Sequence, residues 1–216
     1  MNSAIIVAGG MGSRFGTQIP KQFHKINNKK VITYAVDAFL SHPSIEEVII
    51  VSHPDWILSV KELYPKCKIV SGGKDRRDSS LNGILAVNEL TENILIHDAV
   101  RPFVSHEIIS LCIKQLSKYN ATAPIANVTN SLIRLKNNKA SYIDRSTICE
   151  VQTPQCFKKE IIMKTLLSKI SGTDEIGMVL RKFPNIKIKF IKGDKKNIKI
   201  TNKLDLKMAI HIASDL

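Results

Sequence analysis

The sequence predicts an α/β chain: a Rossmann-like three-layer sandwich whose mostly parallel mixed sheet carries an inserted β-hairpin. Three observations predict it. Short apolar runs alternate with stretches of helical periodicity along the 216 residues, the order that gives a parallel sheet covered by helices on both faces. The first run passes directly into a glycine-rich loop, IIVAGGMGSRFG at 5–16. The alternation breaks once, over 128–150, where two short alternating runs flank a polar Asn-Asn-Lys turn. The length suits one domain, 1–216, with 128–150 as an arm within it.

The elements follow in order. Apolar strand candidates lie near 3–8, 47–51, 67–70, 93–97, 121–126 and 186–191. In the last of these, Ile186, Ile188 and Phe190 fall on one face and Lys187 and Lys189 on the other, as in a half-buried strand whose lysines face water and discourage edge pairing. Ser105 precedes His106, Glu107 and the apolar set Ile108, Ile109, Cys112 and Leu116, which predicts an N-cap and a buried stripe. Thr173 before Asp174 and Glu175 reads as a second helix start, with acids in the electropositive first turn. There is no internal repeat and no low-complexity segment.

Composition narrows the function classes. No stretch approaches the roughly 20 apolar residues a membrane helix requires, and the N-terminus lacks the pattern of a signal peptide, so a soluble, cytoplasmic protein without a membrane partner is expected. Cys67, Cys112, Cys149 and Cys156 have no CxxC spacing, which predicts reduced thiols rather than a zinc site or a disulfide frame. The net charge of +13 fits either a nucleic-acid face or the handling of small polyanions. The lysines lack the aromatic interleaving of a single-strand binder, so the second reading is preferred and no nucleic-acid partner is expected.

The glycine loop carries the chemistry. A dinucleotide fingerprint would need glycine where Phe15 stands and an acid where the second strand run ends in Ser52. A P-loop would need a Gly-Lys-Ser/Thr triplet, which the chain does not contain. What remains is a loop of small residues with Arg14 and, seven positions on, Lys21 in IPKQF. Two cations beside open backbone amides suit a triphosphate. Further polar stretches sit near predicted strand ends or helix starts: GGKDRRDSS (72–80), IHDAVRPF (96–103), QTPQCF (152–157), GTDE (172–175) and NIKIT (197–201). In an open α/β sheet such clusters converge on one crevice beyond the strand ends.

With these motifs in this order, from residue 4 to about 210, the chain resembles the cytidylyltransferase family that includes 2-C-methyl-D-erythritol 4-phosphate cytidylyltransferase and its ribitol 5-phosphate counterpart. The resemblance implies a transfer of CMP from CTP to the phosphate of a small polyol phosphate, with Mg²⁺ as cofactor. It implies backbone contacts from Ala8, Gly9, Gly10 and Gly12, with Arg14 and Lys21 on the triphosphate and Lys199 beside the α-phosphate. Cytosine would lie against Gly73 and Ser79, with Asp75 and Arg76 nearby, and Asp98 near the ribose or the metal. On the acceptor side it implies Arg101, Ser131, Thr153 and Thr173, with Arg145 reaching across a homodimer formed through the 128–150 arm.

Blander readings stand beside these. Asp98 and Arg101 also suit a structural ion pair, His97 a packing residue bonded to backbone, Thr173 a simple helix cap and Arg145 an ordinary hairpin charge. The chain departs from the commonest family pattern in reading Ala8, Gly9, Gly10 for Ala-Ala-Gly, and Asn130, Ser131 for Asp-Thr. The forms AGGMGSR and HDAVRPF are closer to the ribitol-phosphate branch, so a pentitol phosphate is slightly favoured over methylerythritol phosphate. A nucleotidyltransferase for another sugar phosphate, and a non-catalytic nucleic-acid-binding relative, remain as alternatives.

Overall fold

The first strand shows how the sheet is built. Along Asn2–Ala8 (β1) side chains alternate between the two faces, so Ala4, Ile6 and Ala8 enter one buried cluster and Ile5 enters another. A computed structural model of the chain describes residues 1–10, 15–16 and 19–215. After β1 come a small ladder, Lys25–Ile26 (β2) with Lys29–Lys30 (β3), then Val31–Leu40 (α1), Glu47–Ser52 (β4), Ile57–Leu63 (α2) and Lys68–Ser71 (β5). Arg76–Leu85 (α3), Asn93–Asp98 (β6), His106–Gln115 (α4) and Ala121–Asn127 (β7) follow. A hairpin, Leu132–Lys136 (β8) and Lys139–Ile143 (β9), leads to Cys149–Val151 (β10), Gln155–Lys158 (β11) and Lys159–Leu167 (α5). Glu175–Lys182 (α6), Ile188–Lys192 (β12) and Lys203–Ser214 (α7) complete the order.

Strands β5, β4, β1 and β6 pair in parallel, and β11 runs antiparallel between β6 and β7. On its other edge β7 carries β12 in parallel, while β10 lies end to end with β11. The sheet is therefore mixed but mostly parallel, as expected. Helices α1 and α4 cover one face with Ile32, Val36, Phe39, Ile108, Ile109 and Cys112. The opposite face packs against Ile84 of α3, Ile162 and Leu166 of α5, and Ile176, Met178 and Val179 of α6. Each fully buried aliphatic side chain of this kind contributes about 1.5–3 kcal/mol. Three layers result.

Two expectations are refined and two hold. Ser105 caps α4 as predicted, its Oγ accepting from Ile108 N at 3.2 Å. The cap of α6, however, is Asp174 and not Thr173, with Oδ1 accepting from Gly177 N at 3.0 Å. A carboxylate one residue closer to the first turn also meets the helix dipole better than a hydroxyl. In β12, Ile188 packs on one side of the sheet and Ile191 on the other, while Phe190 is exposed. This strand lies at the edge of the sheet, where one face is only partly covered. The hairpin forms where the turn residues allow it: Asn137 and Asn138 take φ of 50° and 58°, the left-handed pair a two-residue turn requires.

Candidate active site

Because β1, β4, β5 and β6 are parallel, their carboxyl ends open on one side, and the loops that follow β1, β5 and β6 meet there. They enclose a cavity of about 270 Å³ whose walls include Ala8, Gly9, Gly10, Lys21, Gly73, Asp75, Arg76, Ser79, Asp98 and Lys199. Ten of the sequence-predicted residues are thus brought together. Gly12 and Arg14 lie outside the described residues.

Local packing explains the two glycine segments. Gly83 lets α3 lie against the sheet, since a Cβ there would sit 2.5 Å from Ile5 and 2.9 Å from Val51. Asp75 caps α3 by accepting from Asp78 N at 2.8 Å. Ser79 Oγ donates to Asp75 O at 2.8 Å and accepts from Gly73 N at 3.1 Å, so the segment expected to meet the base is pre-folded. A Cβ on Gly73 would lie 2.2 Å from Asp78 Cβ, which only glycine avoids. Gly9 and Gly10 do not adopt the positive φ that their type permits. Their value is clearance: a Cβ on Gly9 would come within 3.4 Å of Ser79 Oγ, while at Gly10 it would enter open space.

Gln22, buried behind the loop, was not singled out in the sequence. Its Nε2 donates to Ala8 O at 2.8 Å and Gly10 O at 3.1 Å. These two bonds hold the backbone of Ala8–Gly10, where β1 passes into the loop.

At the floor of the cavity three cations meet two buried carboxylates. Arg76 places NH1 2.6 Å from Asp98 Oδ1, and its Nε and NH2 contact both oxygens of Glu175 at 2.8–3.1 Å. Lys199 Nζ is 2.9 Å and Arg101 Nε 3.4 Å from Asp98 Oδ2. Burial works against the Asp98 carboxylate, but Arg76, Lys199 and Arg101 overcome it and hold its pKa well below the usual range. Burial likewise pulls Arg76 down, and Asp98 and Glu175 together raise it instead. At Arg101 burial prevails over Asp98, and the guanidinium pKa is lowered. The structural ion pair weighed for Asp98 and Arg101 exists, as one edge of this network.

His97 completes the floor and is the packing residue expected. Its Nε2 lies 3.0 Å from Arg101 O, which only a protonated nitrogen can satisfy, so Nδ1 accepts from Thr153 Oγ1 at 2.9 Å. Burial, only partly offset by the bond to Arg101, lowers its pKa to about 4. Thr153 Oγ1 also accepts from Asp98 N at 3.2 Å, so this hydroxyl serves the floor and not the cavity wall. Asn197 ties in the last strand-end loop, accepting from Arg101 NH1 on its carbonyl and donating through Nδ2 to Thr153 O, both at 2.8 Å.

Ser131, Arg145 and Thr173 are exposed and are not among the residues lining the cavity. Arg145 donates to Thr129 O at 2.5 Å, which braces the base of the hairpin. Glu175 was read only as a first-turn acid, although it lies at the centre of the charge network. Two carboxylates, Asp75 and Asp98, line the cavity, and among the described residues no cluster of three acidic, histidine or cysteine side chains could hold a metal alone. A divalent ion fits this set only with phosphate oxygens as its other ligands, which is the habit of Mg²⁺.

Comparison with known proteins agrees with this fold. The family model for IspD, 2-C-methyl-D-erythritol 4-phosphate cytidylyltransferase, matches residues 2–214. A 2-C-methyl-D-erythritol 4-phosphate cytidylyltransferase of Clostridium botulinum (strain Loch Maree) is 38% identical over 100% of this chain and 98% of its own. The bifunctional ribulose 5-phosphate reductase/CDP-ribitol pyrophosphorylase Bcs1 of Haemophilus influenzae is 36% identical over 96% of this chain, which spans 47% of that protein's length. Among solved structures, 4-diphosphocytidyl-2C-methyl-D-erythritol synthase of Anaerococcus prevotii superposes with a TM-score of 0.88 at 26% identity, covering 99% of this chain and 96% of that one. From the fold, the cavity and these matches together, the chain belongs to the IspD family of cytidylyltransferases and is a nucleotidyltransferase enzyme.

Proposed function

We propose that the cavity holds CTP by its triphosphate, and that the phosphate of a small polyol phosphate attacks the α-phosphorus, releasing pyrophosphate and giving a CDP-polyol. The observation that carries this is the meeting of the Gly9–Gly10 loop with Lys21 and Lys199 in one cavity. Cytosine would lie against Gly73 and Ser79, with Asp75 and Arg76 beside it. Arg14 and Lys21 would hold the triphosphate tail. Two polyanions must approach each other, so the protein's contribution is positioning plus fixed positive charge.

Lys199 is suited to the α-phosphate because it can change partners. Its side chain is 38% exposed, against 19% for Arg76 and 12% for Arg101. Lys199 is thus the most open of the three cations to an incoming phosphate, and Asp98 keeps Arg76 and Arg101 when Nζ turns away. No general base is needed, since a phosphate monoester is largely ionised above about pH 6. His97 could not serve as one, because both its ring nitrogens are committed and burial makes it a weak base. Asp98 is the residue that would hold Mg²⁺, and the ion would supply further charge neutralisation.

The acceptor is proposed to be ribitol 5-phosphate, on the AGGMGSR and HDAVRPF forms. A second reading, 2-C-methyl-D-erythritol 4-phosphate, is favoured by the full-length similarity to the Clostridium botulinum enzyme. Arg101 and Thr173 would contact the acceptor from this chain, and Ser131 and Arg145 from a second copy. The hairpin supports such a homodimer: Ile133, Leu135 and Tyr142 share one face of it and are 56%, 78% and 69% exposed. An isolated two-stranded hairpin is marginal in water, so an apolar face of this kind calls for a partner. Among the described residues no helix is long and apolar enough to cross a membrane, and the four cysteines are free. Both support the cytoplasm as the place of work. Pyrophosphate release should be measured from each of the four nucleoside triphosphates with each polyol phosphate. CTP alone should react, faster with ribitol 5-phosphate. Preference for another nucleotide would overturn the proposal, and faster turnover of methylerythritol phosphate would establish the second reading.

A further inference from the structure

Glu175 is wholly buried at the first position of α6, where an unpaired carboxylate would be strongly unfavourable. Its pairing is lopsided. Arg76 turns a broad edge to it, with Nε 3.0 and 3.1 Å from the two Glu175 oxygens and NH2 2.8 Å from Oε2. Only NH1 is left for Asp98, at 2.6 Å from Oδ1. Asp98 Oδ2 consequently remains with Lys199 at 2.9 Å and Arg101 at 3.4 Å. Ser80 Oγ donates to Glu175 Oε1 at 2.6 Å and fixes the orientation of the carboxylate.

We propose that Glu175 is a positioning residue for nucleotidyl transfer: by engaging the broad edge of Arg76 it stops that guanidinium from closing on both oxygens of Asp98, and so reserves one oxygen for Lys199. Guanidinium and carboxylate prefer two parallel bonds. Without the Glu175 charge, Arg76 is free to take that geometry on Asp98, and Lys199 loses the anchor that holds it ready at the α-phosphate. The inference rests on the reading of Lys199 given above. A role confined to tying α3 to α6 would instead appear in stability alone.

Glu175→Gln keeps the shape and the contact to Ser80 while removing the charge. Its kcat should fall about tenfold or more, as when a transition-state contact is lost, with the KM for CTP changed less than about threefold. A crystal structure of the variant should show Arg76 bidentate on Asp98 and Lys199 Nζ out of hydrogen-bond reach. Glu175→Asp, which keeps the charge on a shorter stem, should restore part of kcat. A folded Glu175→Gln protein with kcat within about twofold of the parent would overturn the proposal, as would an unchanged Lys199–Asp98 pair in its structure. If Glu175→Gln does not fold at the assay temperature, Ser80→Ala carries the test by releasing the carboxylate from its fixed orientation: a reduced kcat with unchanged KM supports the role and a parental kcat overturns it. Absence of CTP turnover in the parent chain would be a different result, removing the functional reading on which the inference stands.

Discussion

Gln22 hydrogen-bonds two carbonyls of the glycine loop from behind, at 2.8 and 3.1 Å, and Gln22→Ala leaves the buried Ala8 carbonyl without that donor. A buried group left unsatisfied costs about 1–3 kcal/mol, so the variant should be less stable by that amount and should bind CTP about tenfold more weakly in calorimetry. His97 makes stability depend on pH. In the unfolded chain its imidazole takes a proton as pH falls below about 6.5, but in the folded chain only near 4, so between those values the unfolded state binds more protons and is favoured. Folding free energy should therefore drop by on the order of 3 kcal/mol from pH 6.5 to 4, and urea titrations of His97→Gln should show a slope flatter by about one proton over that range. Asp98, held well below its ordinary value, acts in the same direction at lower pH, its contribution disappearing only in strong acid. One residue of the floor, Glu175, was hard to find in the sequence for a physical reason. Glu175 meets Arg76 across 99 positions, and nothing local distinguishes it from the many acids that sit in the first turn of a helix. Lys21, Asp98 and Lys199 were legible because each belongs to a motif that carries the family resemblance, IPKQF, IHDAVRPF and NIKIT.

At the scale of elements, the start of α6 separates two readings of GTDE. Asp174→Ala removes the cap on Gly177 N and a bond from Gln155 Nε2, and should lower stability by about 1 kcal/mol or more in thermal melts. Thr173→Ala should leave the melt nearly unchanged and raise the KM for the polyol phosphate. Strands β1, β4 and β6 were legible because both of their faces are buried, which writes a continuous apolar run. Strand β11 was not. Its four residues, Gln155–Lys158, include a polar side chain that caps into the α6 turn, since Gln155 Nε2 donates to Asp174 and Oε1 accepts from Ile176 N. A strand whose first residue serves a helix start carries no alternation to read. The hairpin was legible in outline, because Asn-Asn is among the few pairs that adopt left-handed backbone cheaply.

At the scale of the whole molecule, the loops of the sheet carry the cavity, and the exposed hairpin is proposed to complete the acceptor side in a second copy. Leu135→Lys together with Tyr142→Lys places two charges on the apolar face and should shift the protein from dimer to monomer in sedimentation, with turnover falling alongside. A variant that stays dimeric would show that the contact lies elsewhere. Fixed cations beside the glycine loop are proposed to bring two polyanions together, and a crystal structure of the chain with CTP decides whether they do. The triphosphate is expected against Gly9 and Gly10, within hydrogen-bond reach of Lys21, with Lys199 Nζ moved from Asp98 to the α-phosphate; a triphosphate bound away from that loop, with the Lys199–Asp98 pair intact, would refute the proposal.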